Sequence, residues 1–111
     1  MYLHDFIEGR LNGFIHICKS HKVNKLYVFG SSVTDRFDHQ QSDIDILVEV
    51  DVTEPIKRGE LLLSLWDELE LFFARRVDLL TEGGVKNPYL KSALDRTKKL
   101  IYDGEGEKIL I

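Results

Sequence analysis

The chain has 111 residues, 43% hydrophobic and 31% charged, and 15 basic against 19 acidic side chains give a net charge of −4. That is enough for one domain with one core, and it gives no polyanion-binding footprint across the whole molecule, a local patch aside. No apolar run approaches the roughly 20 residues needed to cross a bilayer. The start, "MYLHDFIEGR", lacks the basic patch and apolar stretch of a signal peptide. A lone Cys18 cannot close an internal disulfide, so a cytoplasmic location and no membrane partner are expected.

Leu3, Phe6, Ile7, Phe14, Ile17 and Cys18 recur at helical spacing and predict one amphipathic helix over about residues 2–21. Gly9 and Gly13 weaken it by roughly 1 kcal/mol each relative to Ala. "KLYVFG" is a short apolar run closed by Gly30 and reads as a buried strand. "SSVTDRF" opens a short helix, "DHQQS" a polar loop, and "DIDILVEV" is the second strand. "TEPIKRG" reads as a connection. "ELLLSLWDELELFFARR" reads as a helix with Leu62, Leu65, Trp66, Leu69, Phe72 and Phe73 on its core face. "RVDLLT" is a third strand, "EGGVKN" a turn, and Pro88 opens a further helix. "LIYD" closes as a short strand. Residues 1–103 form the domain and 104–111 a flexible tail. Strands alternating with helices predict an α/β domain over a small mixed sheet.

Two aspartates in the second strand set the chemical question. Side chains alternate along a strand, so Asp43 and Asp45 share one face while Ile44, Ile46 and Val48 turn to the core. At about 5 Å and an effective dielectric near 20, the two carboxylates repel by roughly 3 kcal/mol before screening. A proton, a basic neighbour or a divalent cation would offset that, and paired carboxylates are hard oxygen ligands suited to Mg²⁺. Asp78 interrupts the apolar third strand in the same way. If that strand lies beside the second, three carboxylates converge as a two-metal phosphoryl-transfer site requires. Gly30 and Ser31 follow the first strand where backbone N–H groups can meet phosphate, and Arg36 can neutralise phosphate charge. Singly, each of these residues reads as a turn, a cap or a solvated charge. Their order along the chain separates the two readings.

The stretches "VFGSSVTDRF", "SDIDILVEV" and "RRVDLLTEGGVKNPYLKSAL" resemble the minimal nucleotidyltransferase family of the DNA polymerase beta superfamily. The resemblance spans nearly the whole chain. It implies a polymerase beta palm-like fold, with a small mixed sheet flanked by helices. It makes Asp43, Asp45 and Asp78 catalytic carboxylates and metal ligands, and gives Asp78 a part in activating the attacking hydroxyl. Gly30 and Ser31 would hold the triphosphate with Arg36. Ser32 and Ser42, turn or capping serines by default, join them as expected nucleotide contacts. The implied cofactor is Mg²⁺ in a two-metal site, the implied substrate ATP, and the reaction transfer of a nucleoside monophosphate to an acceptor hydroxyl. Eleven residues, Ser32 to Ser42, separate Ser31 from Asp43, one more than the family's usual ten. Placed in "DHQQ", the extra residue leaves Ser31 facing phosphate. Placed at "GSS", it substitutes Ser32.

The short, acidic chain argues against processive nucleic-acid synthesis. Minimal members of the family commonly accompany a helical HEPN protein as the antitoxin of a toxin–antitoxin pair. The implied acceptor is then a HEPN tyrosine. Nucleotidyl transfer to a small molecule such as an aminoglycoside, and a non-catalytic module that neutralises by contact, are the alternatives. The apolar end "KILI" is either a docking segment or a frayed terminus, and homo- or hetero-oligomerisation stays open. His4, His16, His21 and His39 lack metal-ligand spacing and read as surface or loop residues; Cys18 reads as packed.

Overall fold

Two helices stand where the N-terminal periodicity predicts one. The computed structural model describes residues 2–30, 43–104 and 108–109. It begins with α1 (Tyr2–Glu8) and α2 (Leu11–Ser20). Gly9, a poor helix former, stands at the break. Arg10 has φ −134° and ψ 39°, outside helical values, and its N–H turns back to Ile7 O at 2.9 Å. Its guanidinium lies over the Phe6 ring, 4.3 Å from the centroid. The apolar stripe survives the break, with Ile7, Phe14 and Cys18 fully buried.

Strand β1 (Val23–Phe29) is followed by β2 (Ile44–Val50), α3 (Pro55–Phe73), β3 (Val77–Thr81) and a 3₁₀ turn at Glu82–Gly84. Then come α4 (Pro88–Thr97), β4 (Lys99–Asp103) and β5 (Lys108–Ile109). Among the described residues the five strands form one sheet in the order β3-β2-β1-β4-β5. Only the β2–β3 pair is parallel; β1 runs antiparallel to both β2 and β4, and β5 antiparallel to β4. The sheet is therefore mixed and flanked by helices, as the alternation of elements predicts. Two residues of the segment read as a tail, Lys108 and Ile109, pair with Asp103 and Tyr102.

Helix α3 begins earlier than its apolar periodicity suggests. Glu54 accepts from the N–H groups of Ile56 and Lys57 at 3.2 and 2.8 Å, and Pro55 occupies the first turn, where no N–H is needed. The helix ends at Ala74, in the left-handed region with φ 55°, short of the Arg75-Arg76 pair assigned to it from sequence. Helix α4 repeats the opening device, with Asn87 Oδ1 accepting from Tyr89 and Leu90 ahead of Pro88.

The core lies between one face of the sheet and helices α1 to α3. Leu26, Val28, Ile44, Ile46, Val48, Val77 and Ile101 meet Ile7, Phe14, Leu65, Leu69 and Phe73. Phe6, Phe14, Phe72 and Phe73 form an aromatic knot with neighbouring centroids between 5.0 and 6.4 Å apart. Trp66 is not part of this core: it is 38% exposed, because its indole N–H reaches sideways to Val77 O at 2.6 Å. His21 departs from its surface reading as well. It is buried; its Nδ1–H donates to Ile17 O at 2.8 Å, and Nε2 meets the Ser64 hydroxyl at 3.0 Å. The ring ties the end of α2 to α3.

Helix α4 attends the other face, where Leu94 and Leu47 are both buried. Lys98 secures that side. Its ammonium bonds Glu82 and Asp95, each at 3.1 Å, and lies 4.3 Å from the Tyr27 ring centroid. Among the described residues no helix is long and apolar enough to cross a membrane.

Candidate active site

Ile44, Ile46 and Val48 are buried in the core, so by strand alternation Asp45 emerges on the opposite face. Parallel pairing sets Asp45 beside Asp78, just as it sets Ile44 beside Val77 and Ile46 beside Leu79. Two residues far apart in sequence thus become direct neighbours on one sheet face. Asp43 lies one residue before β2, at the point where Ile44 N–H donates to Arg76 O at 3.0 Å. Asp43 and Asp45 are half-buried and Asp78 is exposed.

The electrostatics follow from that crowding. Burial comes first, then the charge of Asp78, a hydrogen bond with Asp78 and the charge of Asp43; together they push the Asp45 carboxyl from 3.8 up to about 6. That crowding favours a proton on Asp45 over the charged form, and the proton is given up only as pH rises through about 6.

Gly30 completes this edge of the site. It follows β1 with φ +61°, and a methyl group built on it would lie 2.5 Å from Asp45 Oδ2. Only a residue without Cβ lets the backbone run so close to the carboxylate. Asp45 also pairs in register with Phe29, the residue before this glycine. Ser31, Ser32, Arg36 and Ser42 lie outside the described residues.

The donor set can be compared with Mg²⁺. Among the described residues no group of three or more His, Cys, Asp or Glu side chains is placed to hold a metal ion. Mg²⁺ commonly takes one or two carboxylates and completes its shell with water and substrate phosphate. The Asp45–Asp78 pair is such a set, and a proton or a cation would neutralise the same crowded charge. The residues present therefore fit the ion.

Two contacts beside Asp78 are not visible in the periodicity. Trp66 Nε1 donates to Val77 O at 2.6 Å, and Glu70 Oε2 accepts from Val77 N–H at 2.9 Å. A tryptophan at the flank of an apolar stripe, with a polar residue four positions on, is the signal that would have exposed them, since an indole N–H wants a partner.

Taken with the parallel strand pair and its facing carboxylates, the fold defines a nucleotidyltransferase. A family model described as a nucleotidyltransferase domain matches residues 11–101, and the chain belongs to that family. A relative from Methanocaldococcus jannaschii named "Putative protein adenylyltransferase" is 34% identical over 84 residues, which is 76% of this chain and 80% of the relative. A second relative of the same name and organism is 38% identical over 87 residues, 76% of this chain and 80% of its own. Among solved structures, one described as a "putative minimal nucleotidyltransferase" superposes with a TM-score of 0.59 at 26% identity, over 86% of this chain and 92% of that one. A toxin–antitoxin structure with AMP-PNP gives a TM-score of 0.58 at 25% identity, covering 86% of this chain and 74% of the other. A third is a tri-AMPylated Shewanella oneidensis HEPN toxin in complex with MNT antitoxin. It gives a TM-score of 0.50 at 26% identity, over 86% and 71% of the two chains.

Proposed function

We propose that this nucleotidyltransferase moves AMP from ATP to a tyrosine hydroxyl on a HEPN-family partner, as the antitoxin of a cytoplasmic toxin–antitoxin pair. The observation that carries the reading is the in-register pairing of Asp45 with Asp78, with Gly30 packed against the first of them. Relatives named protein adenylyltransferases and a neighbour in complex with an AMPylated HEPN toxin support a protein acceptor, and the tyrosine is what the family resemblance implies.

In this reading Asp45 and Asp78 would hold Mg²⁺, with Asp43 as the third carboxylate that the family resemblance implies; when bound, the ion would neutralise phosphate charge and sharpen the attacking oxygen. Asp78, the most exposed of the three, faces the acceptor and draws the proton from its hydroxyl. The hydroxyl oxygen bonds to the α-phosphorus as the bond to pyrophosphate breaks. Gly30 lets the chain approach the triphosphate, with Ser31, Ser32, Arg36 and Ser42 as its further contacts. Residues 1–103 are the working domain and 104–111 a tail.

Purified protein with labelled ATP and Mg²⁺ is offered a candidate HEPN-family protein, a panel of aminoglycosides, or no acceptor. Label on a HEPN tyrosine, absent in Asp43→Ala and Asp45→Ala, is the expected result. Label on an aminoglycoside alone would replace the acceptor class. Neutralisation of the partner that survives both substitutions would replace catalysis with contact.

A further inference from the structure

Strand β3 is an edge of the sheet, with β2 on one side only. In a parallel pair, alternate residues send both backbone groups to the neighbour and the residues between send theirs outward. Val77 is one of the latter. Its N–H and C=O leave the sheet just before the catalytic carboxylate, and both are taken up by helix α3.

The two helix residues are Trp66 and Glu70, four positions apart and therefore on one face of α3. Glu70 Oε2 accepts from Val77 N–H at 2.9 Å, and the indole N–H of Trp66 donates to Val77 O at 2.6 Å. Each contact grips a different peptide plane. The Arg76–Val77 plane is held from β2 as well, because Arg76 O accepts from Ile44 N–H at 3.0 Å. The Val77–Asp78 plane is the one that aims the Asp78 side chain. Val77 itself is 2% exposed.

We infer that Trp66 and Glu70 are positioning residues for the transfer reaction: a two-point clamp that fixes the backbone entering Asp78 and so holds its carboxylate beside Asp45. This deepens the nucleotidyl-transfer reading and rests on it. An edge strand gripped by one neighbour is free to pivot, and a pivot here moves one carboxylate relative to the other. Packing alone accounts for neither contact, since Trp66 is 38% exposed and Glu70 is a polar, half-buried side chain. The clamp differs from a general stabiliser in one respect: its effect on the reaction passes through Asp78.

The test uses the full chain, with Trp66→Phe, which removes the N–H, Glu70→Leu, which removes the acceptor, and Glu70→Gln, which keeps one. Each is made in the wild-type and the Asp78→Asn backgrounds. AMP transfer is measured at a temperature where thermal unfolding shows every variant folded, and Mn²⁺ binding by electron paramagnetic resonance. Trp66→Phe and Glu70→Leu are expected to lower the rate and the Mn²⁺ affinity roughly 10–100-fold, as loss of supporting partners does at metal sites. Glu70→Gln is expected to stay within a few-fold of wild type, and both losses are expected to vanish in the Asp78→Asn background. Equal losses in both backgrounds, or no loss in folded protein, would overturn the clamp. If wild-type protein neither transfers AMP nor binds Mn²⁺, the transfer reading fails and the clamp falls with it. If Asp78→Asn matches wild type in both, Asp78 has been misassigned, and the clamp is overturned for that separate reason.

Discussion

Replacing Asp45 by Asn should make the metal-free protein more stable at neutral pH while abolishing transfer. The carboxyl stands at about 6 in the fold against 3.8 ordinarily, so its ionisation opposes folding. At about 1.4 kcal/mol per pH unit, the full rise corresponds to about 3 kcal/mol. Asp45 keeps contact with solvent, and screening reduces this to roughly 1–2 kcal/mol. The sign follows from linkage. A carboxyl raised in the fold contributes stability below about pH 4, and that contribution is lost as pH climbs from there to about 6. Asn carries no charge and can still donate to Asp78. In EDTA the variant should therefore match wild type near pH 4 and exceed it near pH 7.5. For a chain this size the gap amounts to roughly 4–8 °C in Tm. Circular dichroism melts at several pH values measure it. A variant less stable than wild type at pH 7.5, or a difference that does not change with pH, would refute the crowded-carboxylate account.

Gly30→Ala should destabilise the protein by about 1–2 kcal/mol through its positive φ alone, and should suppress transfer more than its Tm loss explains. Paired melting and activity measurements separate the two effects, since the added methyl displaces Asp45. Leu69→Ala, at a fully buried core position, should cost about 2–5 kcal/mol in urea unfolding. Cys18 is buried, and burial pushes its thiol up to about 12. It should resist iodoacetamide in the native protein at pH 8 and react fully in urea, as mass spectrometry would show.

Elements with a clear period are legible without coordinates. The alternation in "DIDILVEV" is enough to send Ile44, Ile46 and Val48 to the core and Asp45 to the other face, because a strand has no third side. The juxtaposition of Asp45 with Asp78 is different. It depends on which strands pair and in which sense, and no local pattern carries that information; the sequence supports it only through family resemblance. Helix boundaries fail for a related reason. One residue's conformation at Arg10 divides a helix whose apolar stripe continues across the break, and Glu54 begins α3 in a stretch with little apolar signal. Trp66 and His21 are misread because burial follows from hydrogen-bond partners as well as hydrophobicity. The indole reaches toward a strand carbonyl, and the imidazole fits between Ile17 O and the Ser64 hydroxyl.

The position of β3 at the sheet's edge also bears on how activity responds to heat. Proteins open in parts before they open as a whole, and edge elements with a single neighbour are among the first to separate. Asp45 belongs to a strand paired on both sides, whereas Asp78 belongs to one paired with β2 alone and otherwise held by the Trp66 and Glu70 contacts of α3. Warming should therefore part the carboxylates by releasing β3 while β1 and β2 stay joined. Catalysis would then fade several degrees below the main melting transition and return on cooling, an early and reversible loss set by the weakest seam of the sheet.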